Sequence, residues 1–111
     1  MDCIFCKIIN GELPSKKVYE DDKILAFHDI KPAAPVHIII VPKLHIESLN
    51  GVNPDNIDYI SQIFLKIPEI AQELKVAEGY RVVTNIGRNG GQTVNHLHFH
   101  ILGGRKLRYM G

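Results

Sequence analysis

Three of the six histidines in the chain alternate with apolar residues in the stretch NHLHFHILGG, positions 95–104. Alternate side chains of a β-strand point to the same face of a sheet, so His96, His98 and His100 are expected to lie side by side. A helix would scatter the same rings, because two helical residues turn the side chain by about 200°. The pattern therefore predicts a strand with three imidazoles on one face, at ring positions roughly 6 to 7 Å apart.

Rings at that spacing can work around one tetrahedral phosphate group. Neutral imidazole is nucleophilic near pH 7 and can also be a proton donor there, so one ring can attack phosphorus while its neighbours hold or protonate the oxygens. Two alternatives remain open from the residues alone. His-x-His on a strand is also the spacing of metal ligands, and alternating histidines can simply form a hydrogen-bonded polar face.

The loop directly before the histidines, IGRNGGQTVN at positions 86–95, is rich in glycine. Glycines let backbone N–H groups point together into a concavity that binds anions, and Arg88, Gln92 and Thr93 add charge and hydrogen-bonding groups. A plain hairpin turn, which the pair Asn89-Gly90 signals, is the commoner reason for such a loop. Its position next to the histidines favours a phosphate site.

Composition places the chain among ordinary globular domains. Its 111 residues suffice for one domain, residues 1–111, and a formal net charge of +1 disfavours a polynucleotide partner without excluding a single nucleotide. No apolar run reaches the length of a membrane span, about 20 residues, and the start MDCIFCKIINGE lacks signal-peptide features, so we expect a cytoplasmic protein. A disulfide between Cys3 and Cys6 would close a tiny loop and add little stability, which favours a reduced thiol pair able to bind a metal.

Residue periodicity predicts an α+β fold with a five-stranded antiparallel sheet, one short helix and one long helix. The run VHIIIVPK at 36–43 is β-branched and almost continuously apolar, as in a central strand buried on both faces, and Pro42 ends it. His37, the polar exception in this run, must find a hydrogen-bond partner or serve a site. The other elements are a short helix in IFCKII (4–9), a hairpin in KKVYEDD and KILAFHDI (16–30), and strands in YRVVTNI (80–86) and HLHFHIL (96–102).

The long helix is predicted between positions 53 and 79, where apolar residues recur at helical steps. Asn53 is expected to cap it, Pro54 to occupy its first position and Gly79 to end it. Pro68 lies inside this range and is expected to kink or split the helix.

Four stretches make the sequence resemble the histidine triad (HIT) superfamily, Hint branch. They are HLHFHIL, which fits His-φ-His-φ-His-φ-φ with φ apolar; IGRNGGQTVNH; AFHDIKPAAPVHIIIVPKLHI; and IFCKIINGELPSKKVYEDD. The Cys-x-x-Cys at the N-terminus is found in bacterial members. The resemblance covers nearly the whole chain in order.

That resemblance implies a hydrolase or transferase that cleaves purine nucleotide conjugates at the α-phosphate, typically nucleoside 5′-phosphoramidates such as AMP linked to an amine. His98 would be the nucleophile and form a nucleotidyl-histidine intermediate that water then hydrolyses, which is ordinary covalent catalysis. His100 and His37 would contact the phosphate oxygens. Thr93 and Gln92 would lie near the phosphate and the leaving group.

The resemblance also assigns residues to the nucleoside. Asp29 would accept hydrogen bonds from the ribose hydroxyls, although a turn aspartate is the simpler interpretation of the residue alone. Asn85 and the Gly91 backbone would complete the phosphate surroundings. The base pocket would consist of apolar residues that residue type alone assigns to the core: Ile4, Phe5, Ile8, Phe27 and Ile30. Such a pocket offers no base-specific hydrogen bond, so adenine and guanine are not distinguished.

By the same resemblance, His96 is a zinc ligand and not the attacking group. Cys3, Cys6, His45 and His96 would form a Cys₂His₂ set, which suits a closed tetrahedral and therefore structural zinc site. Two buried thiols and two hydrogen-bonded histidines remain the alternative. No organic cofactor is implied.

The resemblance further implies a homodimer that joins two sheets into one, with the YRVVTNI strand and the long helix at the interface. Burial of so apolar an edge strand would also remove an aggregation hazard. The C-terminal RKLRYMG departs from the tryptophan-containing tail of eukaryotic Hint proteins, and Arg88 replaces a small polar residue, so the leaving group stays open.

Two other functions compete with the phosphoramidase. One is a dinucleoside polyphosphate hydrolase of the Fhit branch, against which the GGQTVNH form and the short chain argue. The other is a non-catalytic nucleotide-binding or zinc-binding partner protein, against which intact His37, His98 and His100 argue.

Overall fold

The computed structural model describes residues 3–110 of the chain. The strands are Lys17–Glu20 (β1), Ile24–His28 (β2), Val36–Pro42 (β3), Tyr80–Val83 (β4) and Phe99–Gly103 (β5); the helices are Ile4–Ile9 (α1) and Ile57–Glu73 (α2), with a 3₁₀ turn at Leu49–Gly51. All neighbouring strands are antiparallel, and the sheet order is β1-β2-β3-β5-β4. The predicted α+β fold with one short and one long helix is confirmed.

The two helices pack on opposite faces of the sheet. Ile60, Ile63, Ile67 and Ile70 form one stripe of α2, and this stripe packs against alternate residues of β2, β3 and β5. On the other face, Phe5 of α1 packs with the intervening residues of β2 and β3. The strand β3 is covered on both faces, which is why nearly every residue in it is apolar.

The alternation of the histidine segment has the predicted consequence. The intervening residues Leu97, Phe99 and Ile101 belong to the core beneath α2. The imidazoles face the α1 side, where the ring centroids of His98 and His100 are 5.0 Å apart, closer than the expected ring spacing. One strand-like segment therefore contributes to the core and to a site.

The last two strands are shorter than predicted. Strand β4 ends at Val83, and β5 begins at Phe99, so of the three histidines only His100 lies within a strand. The predicted strand start at His96 is wrong because Leu97 donates its N–H to the carbonyl of Ile46, at 2.6 Å, and not to a neighbouring strand. A contact distant in sequence thus replaces the ladder.

The N-terminus of α2 also differs from the prediction. The Oδ1 atom of Asn53 accepts the N–H groups of Asp55 and Asn56, at 2.8 and 3.1 Å, and closes a separate turn before the helix. Asn56 occupies the N-cap position, but its side chain makes no capping hydrogen bond. Asn53 and Pro54 are therefore not the first residues of α2, as the sequence had indicated.

The C-terminus of α2 is fixed by packing and not by Gly79. Lys75 adopts a left-handed φ of 63°, and Val76 donates its N–H back to the carbonyl of Ala71 at 2.9 Å, as in a Schellman motif. Val76 is buried against the β5 residue Gly103, where a Cβ atom would approach it to 3.0 Å. This tertiary contact ends the helix before the glycine is reached.

Helix α2 continues through Pro68 to Glu73. Pro68 therefore does not split the helix, which was one of the two predicted outcomes. Within residues 3–110, no helix is both long enough and apolar enough to cross a membrane.

The glycine-rich loop does not use Asn89-Gly90 as a hairpin turn. The left-handed φ angles fall at Gly87 (72°) and Gly91 (86°), whereas a type I′ turn needs them at its two central residues. The carbonyl of Gly87 accepts the N–H groups of Gly90 and Gln92, at 3.2 and 3.0 Å. The loop is therefore a compact turn within a long connection between β4 and β5.

Candidate active site and thiol-histidine cluster

A cavity of about 400 Å³ lies between α1, the β1–β2 hairpin and the histidine segment. It is lined by nine of the residues assigned from the sequence: Ile4, Phe5, Ile8, Phe27, Asp29, Ile30, Thr93, His98 and His100. Phe5 and Phe27 are buried, whereas Ile4 and Ile30 are 49% and 92% exposed. The core assignment that residue type alone suggested is therefore wrong for these two isoleucines, which lie at the rim.

His98 is held with one ring nitrogen turned away from the backbone. Its Nδ1 lies 2.7 Å from the carbonyl oxygen of His96, an acceptor, so Nδ1 carries the proton. Phe5 packs edge-on against the ring, with centroids 4.9 Å apart. In the neutral ring, Nε2 then has a lone pair, which is the form that a nucleophile needs.

His37 and His100 form a hydrogen-bond chain whose direction is set by the backbone. Ala33 donates its N–H to Nδ1 of His37 at 2.9 Å, so this nitrogen is an acceptor and the proton of a neutral ring lies on Nε2. That Nε2 lies 2.8 Å from Nδ1 of His100 and donates to it. Because Nδ1 of His100 accepts this bond, the proton of the neutral His100 ring is on Nε2. His100 lines the cavity, so it offers a hydrogen-bond donor there.

Burial keeps both rings of this chain neutral near pH 7. Desolvation lowers the pKa of His37, and the charge of Asp29 opposes this only in part. Desolvation, reinforced by the charges of His98 and His37, lowers the pKa of His100 to about 4. The hydrogen-bond chain from Ala33 through His37 to His100 requires neutral rings, because a protonated His37 could not accept the N–H of Ala33.

Asp29 lies between the turn after β2 and the histidine chain. Its Oδ1 accepts the N–H of Lys31 at 2.7 Å, which is the turn role that the residue alone suggested. Its Oδ2 lies 3.4 Å from Nε2 of His37, and the residue also lines the cavity. The turn therefore fixes a carboxylate beside the histidines.

Four of the residues assigned to catalysis or nucleotide binding do not line the cavity: His37, Asn85, Gly91 and Gln92. Gln92 holds the loop together, because its amide donates to the carbonyls of Glu47 and Val94 and its oxygen accepts the N–H of Gly87. Asn85 donates to the carbonyl of Gly90 at 2.8 Å. These groups organise the loop that carries Thr93 to the cavity.

The second group of chemically active side chains consists of Cys3, Cys6, His45 and His96. Cys3 is the N-cap of α1, and its sulfur accepts the N–H of Cys6 at 3.3 Å, so the i, i+3 spacing brings the two sulfurs together. Their ligand atoms and those of the two histidines all lie within 4.8 Å of one another.

The spacing in this thiol-histidine cluster fits a tetrahedral zinc ion. Zinc bonds of about 2.3 Å to sulfur and 2.0–2.1 Å to nitrogen place neighbouring sulfur and nitrogen ligands about 3.6 Å apart. Nδ1 of His96 is 3.2 Å from the sulfur of Cys3 and 3.6 Å from that of Cys6, which in turn is 3.4 Å from Nδ1 of His45. The four residues can therefore hold a metal ion.

His96 has the tautomer that a metal ligand needs. Its Nε2 lies 2.8 Å from the carbonyl of Pro42 and donates to it, which leaves the lone pair of Nδ1 facing the sulfurs. Burial lowers the pKa of His96 and raises the pKa of the Cys6 thiol to about 11. A metal would therefore have to displace a proton from Cys6.

Sequence reasoning missed six residues that line the cavity: Leu13, Pro14, Ser15, His28, Ile39 and Val94. Ile39 could have been found, because it shares a face of β3 with His37. Ser15 and His28 carried no periodic signal, since one precedes β1 and the other ends β2.

Comparison with known proteins agrees with this geometry. Residues 10–107 match the HIT domain family. The chain is similar to a histidine triad protein from Clostridium difficile, with 53% identity, a TM-score of 0.95 and coverage of 100% of this chain and 97% of that one. It is also similar to a HIT family hydrolase from Clostridium thermocellum, with 46% identity, a TM-score of 0.94 and coverage of 98% of this chain and 96% of that one. A histidine triad nucleotide-binding protein from Candida albicans shares 38% identity with this chain at a TM-score of 0.84, with coverage of 99% of this chain and 84% of that one. The family match spans most of the chain, and the protein belongs to the HIT family.

Proposed function

We propose that this protein is a nucleotidyl hydrolase that cleaves purine nucleoside 5′-phosphoramidates at the α-phosphate. The observation that carries the proposal is the pairing of two neighbouring rings: His98, whose Nε2 has a lone pair, and His100, whose Nε2 carries a proton. A nucleophile beside a hydrogen-bond donor is what displacement at phosphorus requires. The similar hydrolase from Clostridium thermocellum supports the reaction class.

The cavity supports a nucleotide as the substrate. Its apolar walls, among them Phe5, Ile8 and Phe27, suit a purine ring. Asp29 lines the same cavity beside the histidines, and its carboxylate would accept hydrogen bonds from the ribose hydroxyls. The name of the similar nucleotide-binding protein from Candida albicans agrees with this assignment.

The reaction would proceed in two displacements. In the first, Nε2 of His98 forms a bond to the α-phosphorus while the phosphorus–nitrogen bond breaks, and the amine leaves with a proton from water. The carbonyl oxygen of His96, which accepts the Nδ1–H of His98, stabilises the positive charge that the His98 ring acquires. In the second, water attacks phosphorus, gives up a proton to solvent, and releases AMP together with the original His98 ring.

The remaining assigned residues would act around the phosphate. His100 would donate from Nε2 to a phosphate oxygen, and His37 would maintain that donor by occupying Nδ1 of His100. The hydroxyl of Thr93 would contact the phosphate or the leaving group. Gln92, Asn85 and the Gly91 backbone would act by fixing the loop that carries Thr93. The hydrogen bonds of Asn85 and Gly91 lie within that loop, and Gln92 also ties the loop to the carbonyl of Glu47.

We assign a structural role to zinc bound by the thiol-histidine cluster. Four protein ligands leave no open position for substrate, so the ion would tie α1 to the segment before β5. The donor set and its sulfur–nitrogen distances support this assignment.

A homodimer would complete the assembly. Val82 on the edge strand β4 is 41% exposed, and Phe64 and Leu65 on α2 are 54% and 69% exposed. Exposed apolar groups on an unpaired sheet edge and on α2 favour association with a second copy.

Turnover of adenosine 5′-phosphoramidate tests the proposal. We expect wild type to release AMP and His98→Ala to lose activity by a factor on the order of 10⁴ or more, while still binding AMP and remaining folded. A folded wild type that binds AMP but turns over neither this substrate nor a dinucleoside polyphosphate would contradict the hydrolase and support a binding protein. Faster turnover of the dinucleotide would support the Fhit-type alternative.

A further inference from the structure

Ser15 presents an unexplained polar group beside the cavity. Its hydroxyl oxygen is shielded from solvent, and it is the one buried side-chain nitrogen or oxygen without a hydrogen-bond partner among residues 3–110. The residue itself lines the cavity. Buried polar groups nearly always have a partner, so an orphaned hydroxyl at a ligand cavity requires an explanation.

The hydroxyl lies at the hairpin end of the cavity. Ser15 follows Pro14 and precedes β1, and the carbonyl of the next residue, Lys16, accepts the N–H of His28 at 3.0 Å. Ser15 is therefore next to the end of β2. Lys17, Phe27, Ile39 and His100 lie opposite one another across the sheet, so Ser15 lies beyond Phe27 as seen from His100. The histidines that would act on phosphate belong to β5 and the segment before it.

We propose that Ser15 is the residue that hydrogen-bonds the polar edge of the nucleobase. This inference rests on the proposed function, because it needs a nucleotide with its phosphate at the histidines and its base against the apolar wall. A serine hydroxyl turns by rotation about one bond, between staggered positions of similar energy, so it can leave its shielded position when a ligand enters. A hydroxyl both donates and accepts, and thus serves an amino group, a carbonyl or a ring nitrogen.

This role differs from a structural one in a measurable way. A hydroxyl that holds the fold together makes the protein less stable when it is removed. A hydroxyl without a partner does not, because its removal relieves a buried unsatisfied group. Removal of a hydroxyl that binds the base should instead weaken nucleotide binding, since the base would lose its hydrogen bond in the variant.

The experiment measures binding of AMP and of ribose 5-phosphate to wild type, Ser15→Ala and Ser61→Ala. Ser61 is exposed on α2, so it provides the same substitution far from the cavity. We expect Ser15→Ala to weaken AMP binding about 3- to 10-fold, the effect of one neutral hydrogen bond. Ribose 5-phosphate, which has no base, should bind both Ser variants as it binds wild type. The melting temperature of ligand-free Ser15→Ala should equal or exceed that of wild type.

Three results would overturn the assignment. Unchanged AMP binding by Ser15→Ala would remove Ser15 from the base site while the proposed function stands. Equal weakening of AMP and ribose 5-phosphate, or a marked fall in melting temperature, would make the hydroxyl a structural group. A folded wild type that binds no AMP would overturn the proposed function, and the role of Ser15 with it.

Discussion

The carbonyl oxygen of His96 lies 2.7 Å from Nδ1 of His98, and the imidazole of His96 lies in the thiol-histidine cluster. One residue therefore contacts both sites: its backbone orients the ring of the proposed nucleophile, and its side chain contacts the cysteines. Because Nε2 of His96 is also held by Pro42, the ring and the backbone are fixed together. The orientation of the proposed nucleophile, His98, thus depends on a segment that a metal would anchor.

Removal of the His37 ring should affect catalysis more than binding. His37→Ala removes the N–H that occupies Nδ1 of His100, so the proton of His100 can shift to Nδ1 and the donor in the cavity is lost. We expect kcat to fall about 100-fold with a small change in KM. His37→Gln keeps an N–H donor and should recover part of the loss. Equal kcat values for wild type and His37→Ala, both folded, would contradict the hydrogen-bond chain.

Metal analysis of purified protein tests the zinc assignment. We expect about one zinc per chain in wild type and little in Cys6→Ser, which lacks one thiolate ligand. A chelator should lower the melting temperature of wild type, because the ion binds only the folded cluster, and should barely change that of the variant. Zinc-reconstituted wild type that holds no stoichiometric zinc would leave the cluster as hydrogen-bonded thiols and imidazoles.

Stability should decrease as the pH falls below neutrality. Burial lowers the pKa of His37 and of His96, and that of His100 to about 4, while an exposed ring has its ordinary value of 6.5. The unfolded chain then binds more protons than the folded one, so the stabilising contribution is complete above about pH 6.5 and is lost as the pH falls towards about 4.

Urea unfolding at neutral pH and near pH 5, with a chelator present to exclude metal, measures this dependence. His100→Asn should show a smaller loss of unfolding free energy between the two conditions than wild type. A wild type that is equally stable at both would contradict the burial of neutral rings.

A charge on the free edge of the sheet should prevent dimerisation. Val82→Lys places an ammonium group on β4, where a second copy would otherwise pair, and we expect it to halve the mass measured by light scattering. Leu44→Lys is the matched control, because Leu44 is 43% exposed but lies outside β4 and α2. A monomeric wild type at micromolar concentration would remove the dimer from the account.

Regular repeats of residue type along the chain predicted which side of each element is buried. The alternation of His96, His98 and His100 placed their rings on one face, and the apolar run around Ile38 and Ile40 placed β3 at the centre. The helical spacing of Ile60 to Ile70 likewise predicted the stripe on α2. These features persist because they determine which side of an element is buried.

Contacts between distant residues decided what the sequence could not predict. The bond from Leu97 to Ile46 delayed the start of β5, and the packing of Val76 on Gly103 ended α2 early. The orphaned hydroxyl of Ser15 is visible only when its surroundings are known. A single serine after a proline belongs to no periodic pattern that would indicate a site. His28, at the end of β2, likewise belongs to no such pattern.

The most direct test of the account is the mass of the enzyme during turnover. Wild type would be mixed with adenosine 5′-phosphoramidate and quenched in alkaline denaturant, which preserves phosphorus–nitrogen bonds, and its peptides would be examined by mass spectrometry. We predict one AMP on the peptide that contains His98 and none in His98→Ala. Turnover without an adduct on His98, or full activity in His98→Ala, would contradict the assignment of His98 as the nucleophile.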